Sequence, residues 1–96
     1  MGIADLLKFK RGEILRLARE HGARNVRVFG SVARGEARPD SDIDFLLDME
    51  GGRSLLDLIE FGQALEELHR RKLDILTDGG LSPYLKDRIH AEASPL

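Results

Sequence analysis

The chain is 96 residues long, carries a formal net charge of −2 and contains no cysteine, so we expect one small domain over residues 1–96 without disulfides or thiolate metal sites. The slightly acidic charge and the low aromatic content, 5%, argue against a domain whose main task is to bind nucleic acid. No apolar run approaches the roughly 20 residues that span a bilayer, and Asp5 stands where a secretory signal would be basic, so we expect no membrane segment and a cytoplasmic location.

The first half of the chain alternates helical and extended patterns. Apolar residues at helical spacing predict a helix over residues 3–21 that ends at Gly22, with Gly12 as a candidate break. The β-prone residues 25–29 predict a strand, and residues 31–36 predict a helical turn. A Pro-Asp turn is expected over residues 38–41, before a dense apolar run that predicts a central strand over 43–47.

The second half begins with a glycine loop and a long helix. Ser54 is a candidate N-cap for a helix over roughly residues 55–70. The buried stripe of that helix is expected to comprise Leu55, Leu58, Ile59, Leu65 and Leu68. The three histidines, His21, His69 and His90, lie among charged neighbours, and we expect them to be solvated.

The last third predicts one more strand and one more helix. Residues 73–77 are typical of a strand, and Ser82 followed by Pro83 is typical of a helix start. That helix should run to about residue 93, leaving residues 94–96 as a tail. The complete order predicts an α/β (α+β) domain, in which a small mixed sheet of three to four strands packs against about four helices.

Two acidic residues begin the central strand, and a third lies in the last strand. Side chains two apart in a strand share a face, with Cα atoms roughly 6.5 Å apart, so Asp42 and Asp44 could reach one divalent ion or a pair of ions. Asp74 interrupts an apolar strand, where aspartate is disfavoured. If the two strands are neighbours, three carboxylates meet, and a hard cation such as Mg²⁺ would offset their repulsion. The alternative is ordinary: Asp42 caps a turn, Asp44 is solvated, and Asp74 pairs with Arg71 or Lys72.

The loop before the acids offers groups that suit phosphate. Gly30 and Gly35 flank a hydroxyl, Ser31, and a guanidinium, Arg34. An EF-hand is not expected, because Phe45 and Gly51 occupy the positions that require glycine and glutamate. A P-loop is not expected either, because the lysine and hydroxyl that should follow the second glycine are missing. Metal beside phosphate points to nucleotide chemistry.

Residues 30–44, with Gly30-Ser31, Arg34-Gly35 and Ser41-Asp42-Ile43-Asp44 in order, resemble the signature of the DNA polymerase β-type nucleotidyltransferase superfamily, and within it the minimal nucleotidyltransferase (MNT) domains. The resemblance implies the nucleotidyltransferase fold and transfer of an NMP unit, usually AMP from ATP, with Mg²⁺ (two ions, or Mn²⁺ in its place) as cofactor. It implies that Gly30, Ser31, Arg34 and Gly35 bind the nucleotide. It also implies that Asp42, Asp44 and Asp74 are the catalytic residues and the metal ligands.

The resemblance further implies a partner. MNT proteins are commonly paired with HEPN-domain proteins as toxin–antitoxin systems, in which the active transferases add AMP to a tyrosine of the HEPN ribonuclease. A protein adenylyltransferase acting as an antitoxin, alone or as a homo- or hetero-oligomer, is therefore the leading hypothesis. Two alternatives stay open: a non-catalytic antitoxin that neutralises its HEPN partner by binding, and an adenylyltransferase for small molecules such as aminoglycosides, which the lack of an acceptor domain disfavours.

Overall fold

The computed structural model of the protein describes residues 3–38 and 42–96, without the side chains of residues 3, 4 and 6. Residues 39–41, most of the expected Pro-Asp turn, lie outside the described residues. The elements in chain order are α1 (Ile3–Phe9), α2 (Arg11–His21), β1 (Ala23–Phe29), α3 (Gly30–Ala33), β2 (Ile43–Met49), α4 (Leu55–His69), β3 (Leu73–Thr77), a 3-10 turn (Asp78–Gly80), α5 (Pro83–Glu92) and β4 (Ser94–Pro95).

The described strands form one mixed sheet in the order β3-β2-β1-β4. β2 pairs with β1 antiparallel and with β3 parallel, while β4 pairs with the other edge of β1 antiparallel. The predicted α+β class with a small mixed sheet is therefore confirmed. The sequence predicted that the final residues form a free tail. This prediction is wrong, because Ser94 and Pro95 pair with β1 and extend the sheet.

One face of the sheet carries the hydrophobic core, and α2 and α4 pack there against each other and against the strands. Side chains alternate between the two faces of a strand, so every second residue of β2 contributes to this core. The buried cluster comprises Leu7, Ile14, Ala18, Ala23, Val26, Val28, Val32, Ile43, Phe45, Leu47, Phe61 and Leu65. The intervening positions of β2 and β3 therefore point away from the core, to the face on which the acidic residues lie.

The predicted helix over residues 3–21 is two helices. The chain breaks at Lys10, whose φ of −95° and ψ of 7° leave the helical region, and Gly12 lies inside α2 rather than at the break. Gly22 ends α2 as predicted: its φ is +76°, and its amide donates to the carbonyls of Ala18 and Arg19. In the part of the chain that the structure describes, no helix has the length and apolar character to cross a membrane.

Helix α4 begins after Ser54, as predicted, and the Ser54 amide donates to Asp57 Oδ2 at 3.0 Å. The prediction of its buried stripe is partly wrong, because Leu55 is 71% exposed and Ile59 is 48% exposed. The buried residues Phe61, Leu65 and His69 follow one another at four-residue steps. This spacing keeps them on the one side of the helix that contacts the sheet, and the first turn extends beyond that contact.

His69 departs most from its expected environment. It is 6% exposed, its ring centroid lies 6.3 Å from that of Phe45, and neither ring nitrogen has a hydrogen-bond partner. Burial, with the nearby positive charges of Lys10 and Arg71, lowers the pKa of this imidazole. The sequence suggested a solvated helix end because charged residues surround His69 along the chain, whereas the side chain turns inward at the end of the buried stripe.

We expect His69→Leu to stabilise the protein at neutral pH by about 1 kcal/mol or more, because an apolar side chain removes two buried unpaired nitrogens. The pH dependence should also change. Because the folded-state pKa is lowered, the unfolded chain binds the proton more tightly, so wild-type stability falls as pH drops below about 6.5. Denaturant unfolding between pH 5 and 8 should show a smaller loss toward acid in the variant. A variant that is less stable than wild type at pH 7 would contradict this explanation.

Candidate active site

Asp44 and Asp74 lie side by side across the parallel pair of β2 and β3. Both occupy positions that point away from the hydrophobic core, and their carboxyl groups share a hydrogen bond. Burial first, and then the charge and hydrogen bond of Asp74, raise the pKa of Asp44 to about 6. The structure therefore brings together two of the three predicted acidic residues, and the carboxyl of one of them, Asp44, loses its proton at a higher pH than an ordinary aspartate.

Asp42 is not part of the Asp44–Asp74 pair. It lies directly before β2 rather than within it, its side chain is exposed, and its charge contributes to the raised pKa of Asp44. Within residues 3–38 and 42–96, no three carboxylate or imidazole groups are gathered as ligands of one ion. The described residues thus show two of the expected three acids, Asp44 and Asp74, side by side, with the charge of Asp42 acting on Asp44.

Gly30 lies directly against Asp44. Phe29, the last residue of β1, pairs in register with Asp44, and Gly30 follows with a φ of +70°. A Cβ built on Gly30 would overlap Oδ2 of Asp44 and lie 3.2 Å from its carboxyl carbon. The missing side chain is therefore required for the Asp44 carboxylate to occupy its position, and the positive φ is one that glycine adopts without strain.

The loop after Gly30 is one short helical turn closed by backbone hydrogen bonds. The Arg34 amide donates to the Gly30 carbonyl at 3.1 Å, and the Glu36 amide donates to the Ser31 carbonyl at 2.8 Å. Gly35 ends the turn with a φ of +72°. This loop follows the last residue of β1, Phe29, which lies opposite Asp44, the second residue of β2. The predicted phosphate-binding residues and the acidic pair therefore share one end of the sheet.

The Arg34 guanidinium is held by two carboxylates. Nη1 donates to Glu92 Oε1 at 2.8 Å, and Nε donates to Glu36 Oε2 at 3.2 Å. Its positive charge also lowers the pKa of Asp44, against the larger effects that raise it. Glu92 was not among the predicted site residues, because it lies 58 positions from Arg34 and no local pattern links the two.

A second cluster of charged residues, centred on Asp78, holds helix α5 in place. Asp78 Oδ2 accepts a hydrogen bond from His90 Nε2 at 2.8 Å and lies 3.5 Å from Arg27 Nη2. Lys86 Nζ lies 3.8 Å from the other oxygen of Asp78. These contacts attach the last turns of α5 to the end of β3, and thereby determine where Glu92 meets Arg34.

The donor set fits a divalent cation. Two adjacent carboxylates, one with a raised pKa, are under electrostatic strain that a cation would relieve by allowing both to ionise. Carboxylate oxygens, with phosphate oxygens of a substrate, are the ligands that Mg²⁺ prefers. Asp44 and Asp74, with Asp42 nearby, are the described residues that would hold such an ion. The ion would supply positive charge where a phosphoryl group reacts.

Comparisons with known proteins found relatives of this chain. The nucleotidyltransferase domain family matches residues 12–95. A relative from Methanocaldococcus jannaschii, provisionally named a protein adenylyltransferase, is 42% identical over 81 residues, covering 84% of this chain and 87% of the relative. The protein adenylyltransferase MntA of Thermococcus cleftensis is 43% identical over 76 residues, covering 79% of this chain and 77% of that protein.

Solved structures share the fold. A chain provisionally described as a minimal nucleotidyltransferase superposes with a TM-score of 0.88 at 48% identity, covering 97% of this chain and 95% of that chain. A toxin–antitoxin crystal structure with AMP-PNP superposes with a TM-score of 0.74 at 20% identity, covering 88% and 69%. Since the family match spans most of the chain and relatives above 40% identity cover more than three quarters of it, this chain belongs to the nucleotidyltransferase domain family as one of its minimal members.

Proposed function

We propose that this protein is a Mg²⁺-dependent protein adenylyltransferase that transfers AMP from ATP to a tyrosine hydroxyl of a HEPN ribonuclease toxin, and thereby acts as its antitoxin. Two relatives carry the name protein adenylyltransferase. A structural neighbour of the same fold, with a TM-score of 0.68, is an MNT antitoxin in complex with a tri-AMPylated HEPN toxin. The observation that carries the proposal is the pairing of Asp44 with Asp74 beside the Gly30 loop.

The chemistry divides among these residues. Ser31, Arg34 and the backbone of Gly30 and Gly35 would bind the β- and γ-phosphates, while the acidic pair, with Asp42, would hold the divalent cation. The acceptor oxygen forms a bond to the α-phosphorus, the bond from that phosphorus to the bridging oxygen of the β-phosphate breaks, and pyrophosphate leaves. Asp74, at the exposed side of the pair, would orient the acceptor hydroxyl and accept its proton.

Transfer of AMP to the partner protein tests the proposal. The chain is mixed with a HEPN-type protein from the same organism, Mg²⁺ and α-labelled ATP, and incorporation is located by mass spectrometry. We expect AMP on a tyrosine of the HEPN protein and loss of its ribonuclease activity. Neutralisation without incorporation would instead support the non-catalytic antitoxin, and pyrophosphate release with aminoglycosides but not with the HEPN protein would support the small-molecule transferase.

A further inference from the structure

Arg34, which the proposed function assigns to phosphate binding, already donates hydrogen bonds to two acidic side chains. Arg34 shares its donors with Glu92 and Glu36, and the Glu92 side chain is 24% exposed against 67% for Glu36. Hydrogen bonding to Glu92 is also the largest contribution that raises the pKa of Arg34. Glu92 is therefore the closer and less exposed of the two partners, and it comes from a different part of the fold.

A triphosphate would use the same donors. Carboxylates and phosphates both accept from the fork of a guanidinium, so a phosphate that reaches Arg34 competes with Glu92 for hydrogen bonds. The negative charge of Glu92 would also repel the phosphate whenever Arg34 does not fully neutralise that charge. Phosphate binding at this end of the site is thus coupled to the state of the Arg34–Glu92 pair.

The position of Glu92 suggests that its side chain is held there by Arg34. Glu92 is the last residue of α5, where the exposed carbonyls of a helix disfavour an acidic side chain. The helix end itself is fixed by the His90–Asp78 hydrogen bond and by the Ala93 amide, which donates to the Ile89 carbonyl at 2.8 Å. Glu36 differs, since it belongs to the same loop as Arg34 and can move with it.

We propose that Glu92 competes with the substrate for Arg34: its carboxylate holds Arg34 in the absence of nucleotide and must be displaced or outcompeted by the phosphate end of the substrate. The inference rests on the proposed function, in which Arg34 binds phosphate. It implies that Glu92 lowers the affinity for a triphosphate, which must compete for Arg34, and leaves the affinity for a nucleoside unchanged, because a nucleoside has no phosphate to reach Arg34.

The test compares Glu92→Gln with Asp87→Asn in binding AMP-PNP with Mg²⁺, and adenosine. Glutamine keeps an oxygen that can accept from Arg34 but removes the charge, and Asp87, exposed on the same helix, controls for the change in net charge. We expect the Glu92 variant to bind AMP-PNP roughly 1.5- to 5-fold more tightly, the scale of an exposed ion pair. Adenosine affinity should not change, and the Asp87 variant should bind both ligands like wild type.

The Arg34→Ala background shows whether the effect passes through Arg34. If it does, adding Glu92→Gln to Arg34→Ala should not tighten binding, whereas an independent charge effect would tighten it equally in both backgrounds. If thermal melting shows that Glu92→Gln does not fold, Glu92→Asp, which withdraws the carboxylate by one methylene, should tighten AMP-PNP binding by a smaller factor.

Equal or weaker AMP-PNP binding by the folded Glu92 variant, with wild type binding normally, would overturn this inference alone. Failure of wild type to bind AMP-PNP would overturn the proposed function, and this inference with it.

Discussion

Asp44→Asn and Asp74→Asn should each lower kcat/KM for AMP transfer by about 100- to 1000-fold or more, because each removes a charge where cation and phosphoryl group meet. Asp48→Asn is the matched control, since Asp48 lies on the same strand but stands opposite Arg24 of β1 in the sheet register, away from Asp74 on β3. The control should keep its activity. The measurement is the initial rate of incorporation from α-labelled ATP into the HEPN protein at saturating Mg²⁺.

Stability provides a second readout for Asp44. Its pKa is raised to about 6, so the ionised form costs stability in the metal-free protein, and the cost is complete only above that pH. It disappears as pH falls below about 4, where the carboxyl is protonated in both the folded and the unfolded state. Without divalent cations, Asp44→Asn should therefore match or exceed the melting temperature of wild type at pH 7.5 and lose any advantage near pH 4. An active Asp44→Asn variant would refute the assigned role, and an inactive variant that is also unfolded would refute the explanation of the pKa.

Gly30→Ala should have the second large effect. The methyl group would displace the Asp44 carboxylate, and the positive φ would add about 1 kcal/mol of backbone strain. We expect AMP transfer to fall by about 100-fold or more, as when catalytic groups are displaced by about 1 Å, together with a modest decrease in melting temperature.

Gly52→Ala separates the two causes. Gly52 also has a positive φ, +86°, but an added Cβ there would meet no atom within 4 Å, and the residue lies outside the candidate site. It should therefore lose a similar amount of stability while its activity per folded molecule stays at the wild-type level. Equal loss of activity in the two variants would show that backbone strain, rather than contact with Asp44, explains the effect of Gly30→Ala.

Local patterns predicted the elements that carry the site. The strand over residues 73–77 and the helix start at Ser82 and Pro83 agree with the structure, because β-branched runs and capping residues act within a few positions of the chain. The break at Lys10 and the added strand at Ser94–Pro95 were not predicted. The helix break has no glycine or proline at Lys10, and the short strand exists only because β1 has a free edge beside it.

The site shows the same division. Asp42, Asp44, the glycine loop and the family could be recognised from residue types and spacing, since they lie in one short segment of the chain. Two contacts depend on the folded chain: β3 lies beside β2, so that Asp74 meets Asp44, and α5 returns to place Glu92 on Arg34. Contacts between distant segments depend on which faces are buried when the sheet assembles, and burial is a property of the whole packed core rather than of any local stretch of chain.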